Sequence, residues 1–164
     1  MKPMILALTL FAIPAWSQDE TANKTFKYNG LGYTFFSVGA CQHRYANIGV
    51  GGGGEGFLWR GLTIGGDAGY YRFPADSNAG YGVATLGPGY HFVDRNKRSK
   101  FDPYVNANVL GIAFARGGVA AAASLGGGVN YWFKERMGLQ TGVQVQGIGF
   151  EESLVLFRVG LTFR

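Results

Sequence analysis

"LVLFRVGLTFR", residues 154–164, closes the chain and decides how the rest of it reads. In an extended strand, successive side chains point to opposite faces. Val155, Phe157, Val159, Leu161 and Phe163 then make one unbroken apolar face. Leu154, Leu156, Arg158, Gly160 and Thr162 make the other, with a charge in its middle. Such a strand needs an apolar medium on one side and a partner for the arginine on the other, because an unpaired buried charge is costly.

Upstream the same alternation recurs. No segment after residue 17 repeats apolar residues at helical spacing for three turns. Period-two patterning marks strands over 30–40, 47–57, 61–73, 80–93, 101–115, 119–133, 137–149 and 154–163. Turn-forming stretches separate them: LWRG, PADSN, DRNKRSK, RGG, KER and EES. "TLGPGYHFVDR" and "SLGGGVNYWFKER" echo each other, with "GGGGEGFLWRG" a looser third copy. The repeating unit is a β-hairpin, which cannot bury its apolar face alone.

The character of the two faces selects the architecture. Leu139, Thr141, Val143 and Val145 alternate with Gln140, Gly142, Gln144 and Gln146. Leu62, Ile64, Gly66, Ala68 and Tyr70 alternate with Thr63, Gly65, Asp67, Gly69 and Tyr71. Val105, Ala107 and Val109 alternate with Tyr104, Asn106 and Asn108. A water-soluble barrel would carry Lys, Glu, Asp and Arg on its polar face. Here that face is Gly, Asn, Gln, Ser and Thr, and most charges sit in turns. This pattern fits an all-β, eight-stranded antiparallel up-and-down barrel in a membrane, apolar residues facing lipid and polar residues facing a narrow lumen. Glu55, Asp67 and Arg158 lie well inside strands and share the inward face by parity, so Arg158 is expected to pair with Glu55 or Asp67 in a lumen charge network. Aromatics gather near alternate strand ends. One group is Phe57, Trp59, Phe92, Phe101, Tyr104, Tyr131, Trp132 and Phe133; the other is Tyr70, Tyr71, Phe73, Tyr81, Phe114 and Phe150. Two such belts are expected where strands cross two membrane–water interfaces.

Bulk composition agrees. Glycine supplies 28 of 164 residues without a period of three, which excludes a collagen-like chain. Aromatic residues at 15% argue against a disordered glycine-rich tail. Charged residues are only 15%. The net charge of +5 is small and dispersed, and gives no reason to expect nucleic acid as a partner. Cys41 is the only cysteine, which excludes an internal disulfide and reads as a free thiol. Residues 1–17 read as a cleavable signal peptide, with Lys2 before an apolar run and small residues Ala15 and Ser17 at the cleavage point. Residues 18–29 are then a periplasmic lead-in, and 30–164 the barrel.

From about residue 27 to the end, the chain resembles the small eight-stranded outer-membrane β-barrel proteins, the OmpA-transmembrane-domain and OmpX-like group of the porin family. The last strand carries the likeness best, with the segment "FDPYVNANVLG" after a basic turn. The resemblance implies a bacterial outer-membrane location and periplasmic termini. It also implies that Phe157, Val159, Leu161 and Phe163 form a C-terminal signal read by the barrel-insertion machinery; here Arg164 follows the terminal aromatic. Outer-membrane lipid and lipopolysaccharide are the partners implied for a monomeric barrel.

Residues that suggest chemistry are few. "GVGGGG" contains G-x-G-x-x-G at Gly49, Gly51 and Gly54, but the following "EGFLWRG" is no helix, so no dinucleotide site is expected. His43, Asp76 and Ser77 fall in outer loops, the residue types that a lipid A-modifying enzyme would use, without a surrounding motif. Glu151 and Glu152 read as solvated loop charge. His91 has no ligand cluster at metal spacing and reads as a satisfied lumen or interface residue. The expectation is a non-enzymatic barrel without metal or cofactor, its lumen filled by small and polar side chains, with a structural or surface-interaction role. A lipid A-modifying enzyme and a soluble lipocalin-like binder are the rivals.

Overall fold

The computed structural model describes residues 29–41, 46–74, 80–93, 99–115, 118–148 and 152–164, with backbone only at Cys41 and Glu152. The expected signal peptide and all but the end of the lead-in lie outside these residues.

Every described element is a strand: β1 Gly30–Cys41, β2 Ala46–Trp59, β3 Leu62–Arg72, β4 Gly80–His91, β5 Phe101–Asn108, β6 Leu110–Ala115, β7 Gly118–Trp132, β8 Met137–Ile148 and β9 Glu152–Phe163. All pairings are antiparallel, and sequence neighbours pair throughout except β5 with β6. β1 pairs with β9, placing Ser37 opposite Arg158 and Gly32 opposite Phe163, and this closes the ring. β5 and β6 share one position in the wall between β4 and β7, so the barrel has eight wall positions. Closure removes the free edges that an open sheet would expose.

The expected single strand over 101–115 is corrected at Val109. Pairing with β4 runs Gly89↔Asn106, then resumes one residue out of step at Leu86↔Leu110. The same step appears against β7, from Asn108↔Ser124 to Ile112↔Ala121. This is a β-bulge: one extra residue shifts the parity of everything after it. Val109 and Leu110 therefore both face outward, and beyond them Ala113 rather than Phe114 turns inward.

Burial is inverted relative to a water-soluble protein. Among the described residues, 29 large apolar side chains are exposed while 13 hydrophobic side chains are buried. Val145, Val159 and Leu161 stand outside, with Phe157 60% and Leu125 64% exposed. A soluble binder would pack these residues around its centre, so the lipocalin-like reading is overturned. An outer wall of this kind is matched to hydrocarbon.

The expectation of a lumen filled by small and polar side chains also needs correction. Tyr33, Phe35, Phe57, Tyr71, Tyr81, Tyr104 and Trp132 are all buried within the ring, together with Leu154 and Leu156. Phe57, Tyr71, Tyr81, Tyr104 and Trp132 thus leave the expected interfacial belts, because strand parity turns them inward. Phe150 lies outside the described residues. β2 makes the room. A Cβ added to Gly51 would sit 2.5 Å from the Phe35 ring, and one added to Gly53 would sit 2.8 Å from that of Tyr33. The glycine-rich segment is therefore a thin wall against which the interior rings pack, and it is extended, with no helix after it. Gly51→Val is expected to destabilise the barrel by about 1–3 kcal/mol through overpacking. A urea titration of the folded protein in lipid vesicles checks this; an unchanged midpoint would mean the ring has room to spare.

Candidate functional site

Inward-facing polar residues assemble into two clusters at different depths. The first is built on Arg158, half-way along β9. Its Nη1 donates to Asp67 Oδ2 on β3 at 2.5 Å, and its Nη2 donates to the Tyr71 hydroxyl at 2.7 Å. The guanidinium lies 3.9 Å from the centre of the Phe35 ring. Asp67 accepts a second hydrogen bond at Oδ1 from Thr85 Oγ1 at 3.0 Å, and Thr85 in turn accepts from Asn108 Nδ2 at 3.1 Å. Arg158 Nε has no partner. One cation is thus held by one carboxylate, one phenol and one ring face, on strands far apart in sequence. Charge-assisted hydrogen bonds of this kind are among the strongest that side chains make.

Glu55 does not join this cluster. It lies lower, toward the end where the termini meet, and turns to His91. Glu55 Oε2 accepts from Thr63 Oγ1 at 2.6 Å and lies 3.2 Å from His91 Nε2, outside good hydrogen-bond geometry. On the other side His91 Nδ1 is 2.9 Å from both oxygens of Asp102. Asn130 Nδ2 donates to Asp102 Oδ2 at 3.4 Å. The imidazole stacks on Tyr104 at 5.7 Å and meets Phe57 at 5.0 Å. His91 is therefore held between two carboxylates in a closed site.

Of the three residues expected to form one network, the structure brings Arg158 and Asp67 together and seats Glu55 elsewhere. His91 lies in the lumen, one of the two places expected of it, but its pairing with Glu55 and Asp102 was not foreseen. Parity carried a signal for both His91 and Asp102, since His91 shares the inward face of β4 with Tyr81, Val83 and Thr85, and Asp102 that of β5 with Tyr104. Which carboxylate meets which cation across the lumen depends on strand tilt and stagger, which parity does not encode.

Neither cluster is arranged for acyl transfer. A hydroxyl nucleophile needs the free ring nitrogen of a histidine, and here Nε2 faces Glu55 while the Thr63 hydroxyl serves the same carboxylate. Among the described residues there is no group of three or more His, Cys, Asp or Glu side chains set to hold a metal ion. His43, Asp76, Ser77 and Glu151 lie outside the described residues, as does the side chain of Glu152.

Above the arginine, aromatic and aliphatic side chains share the lumen with buried amides, among them Gln146 and Asn47, whose Nδ2 donates to the Tyr81 hydroxyl at 3.1 Å. Tyr71 and Tyr81 stack at 5.4 Å, and Val83, Ala113, Ala122, Leu154 and Leu156 pack with them. At the rim beyond, a pocket of about 370 Å³ is lined by residues including Phe73, Tyr81, Ala113 and Ile148. The outward face of β9 holds the expected assembly residues Phe157, Val159, Leu161 and Phe163, all exposed on the wall.

No protein-family model matches the chain, and no curated protein matches it. Solved structures do. Neisserial surface protein A aligns over 82% of this chain and 94% of its own, with TM-score 0.59 and 13% identity. The N-terminal β-barrel domain of Pseudomonas aeruginosa OprF aligns over 82% and 98%, with TM-score 0.56 and 21% identity. Ail, the attachment invasion locus protein of Yersinia pestis, aligns over 82% and 95%, with TM-score 0.54 and 9% identity. A de novo designed transmembrane β-barrel also matches, with TM-score 0.53 and 18% identity. The chain is an eight-stranded outer-membrane-type β-barrel. A closed ring with this apolar exterior has its place in the bacterial outer membrane.

Proposed function

We propose that the protein is a non-enzymatic, non-conducting component of the outer membrane, with a structural or surface-interaction role. The filled interior carries this reading. The Arg158–Asp67–Tyr71 cluster, the rings of Tyr33 and Phe35 and the apolar layer of Leu154 and Leu156 occupy the cross-section at successive heights. Eight strands leave an interior that side chains fill. On this reading the surface-interaction role falls to the links between strands that project beyond the wall. On the same reading, Phe157, Val159, Leu161 and Phe163 serve recognition by the insertion machinery, as the outward face of the strand that closes the ring.

Planar-bilayer recording of the purified chain tests the central claim. The expected record is a flat baseline under applied voltage, with no resolved openings; discrete, reproducible conductance steps would refute it. Mass spectrometry of lipid A from cells with and without the protein tests the enzymatic rival, and identical spectra are expected.

A further inference from the structure

Among the described residues, the rim at which Asn29 and Arg164 lie carries more cations than the opposite rim. At this end the described turns place exposed cations next to exposed aromatics. Trp59 is followed by Arg60, Lys100 by Phe101, and Phe133 by Lys134, with Arg136 in the same turn as Lys134. Lys100, Lys134 and Arg136 stand side by side at the ends of the paired strands β5 and β7 and in the turn before β8, and Arg60 stands across the ring at the end of β2. Phe163 and Arg164 add a fourth, with Arg164 lying 4.1 Å over the Trp132 ring and its Nε donating to the Glu135 carbonyl at 3.0 Å. Among the described residues no ion pair involves Arg60, Lys100, Lys134 or Arg136, and Glu135 is the one acidic side chain on this rim. The opposite rim has one described cation, Arg72.

Arg60 shows that the arrangement is held against a backbone preference. It takes φ +49°, a conformation that glycine adopts more readily. The neighbouring glycine, Gly61, is committed to a different task. It packs against β4, where its carbonyl accepts from the His91 N–H at 2.8 Å and an added Cβ would run into the His91 backbone. The arginine therefore occupies the left-handed position and lies 4.7 Å from the centre of the Trp59 ring.

We propose that this rim is a basic collar that binds the phosphates of anionic phospholipids in the leaflet on the side of the termini. The inference rests on the membrane-barrel reading above and adds the lipid class and the leaflet. Exposed aromatics fix the height of the interface. Arginine and lysine just beyond them lie at headgroup depth, where guanidinium and ammonium groups donate to phosphate oxygens. Asn29 and Arg164, the ends of the described chain, lie at this rim; with the rim placed on the periplasmic side, the phosphates are those of the inner, phospholipid leaflet rather than of lipid A.

The test uses the full chain folded in phosphatidylcholine bilayers, with spin-labelled phosphatidylglycerol, phosphatidylcholine or lipid A as reporter. Electron spin resonance then measures how much of each probe is held at the protein surface. Phosphatidylglycerol is expected to be held about fivefold more strongly than phosphatidylcholine, with the preference falling steeply at high salt. In R60Q/K100Q/K134Q/R136Q the two lipids are expected to become equivalent. The half-collar variants R60Q/R136Q and K100Q/K134Q should keep an intermediate preference, so the collar is judged even if the fourfold variant does not fold. Equal retention of the two phospholipids by the unmodified protein overturns the collar, as does an unchanged preference in the variants or capture of lipid A in place of phosphatidylglycerol. A protein that never enters the bilayer, seen as absence of the heat-dependent gel shift of folded barrels, overturns the membrane-barrel reading and the collar with it.

Discussion

Replacing Arg158 by methionine is expected to cost about 3–5 kcal/mol of barrel stability, the penalty for leaving a buried carboxylate without its cation. Asp67 would keep only the Thr85 hydrogen bond among its present side-chain donors, and it is 5% exposed. Tyr71 would lose its charged donor at the same time. Urea unfolding of the chain in lipid vesicles measures the effect as a lowered midpoint. The double variant R158M/D67N removes both charges and should recover a large part of the loss, because the greater cost lies in the orphaned charge rather than in the missing bond. A single variant as stable as the parent would show that water reaches Asp67 freely, and the interior would then be wetter than its packing implies. If the double variant were no better than the single one, Arg158 would act mainly through its packing against Phe35.

Leu125→Arg is expected to cost about 2–4 kcal/mol, the penalty for a cation on the lipid face near the bilayer midplane. Leu125 is the central residue of β7, and its side chain is 64% exposed on the outer wall. In a water-soluble protein an exposed leucine exchanged for arginine changes stability little. The magnitude therefore reports the medium as well as the protein. The same vesicle titration reads it, and the cost should shrink when the substitution is moved to Leu139, near the terminus-side rim where an arginine can reach the headgroups. Equal and negligible costs at both positions would mean that no hydrocarbon touches the wall, and the membrane reading would fail.

The two substitutions probe opposite faces of one thin wall. Arg158 is tolerated because an opposing strand supplies Asp67; a cation at Leu125 meets no such partner. The glycines of β2 belong to the same economy of space. They let Tyr33, Phe35 and Tyr71 cross the lumen, and those rings shield the ion pair from water.

Most of the wall was legible in the chain. Period-two alternation located the strands to within a residue or two at most ends, because a lipid-facing residue must be apolar and its neighbour must then face inward. The last strand shows this most plainly: Val155 to Phe163 outward, Leu154 to Thr162 inward. The break at Val109 was not legible, because a bulge adds one residue without any compositional mark when both residues at the step are apolar. Nearness to turns also misassigned Phe57, Tyr71, Tyr81, Tyr104 and Trp132 to interfacial belts, whereas their place in the alternation sent them inside.

By itself, the sequence determined that this chain forms strands with one apolar and one polar face, closes them into a ring, and keeps its charges within the lumen and the turns. Only the tertiary structure decided that Arg158 meets Asp67 while Glu55 turns with Asp102 to His91. The reason is geometric. Alternation is a property of each strand alone, and local sterics enforce it. Contact across the lumen depends on the tilt and stagger of all the strands together, and the closure of the ring sets these.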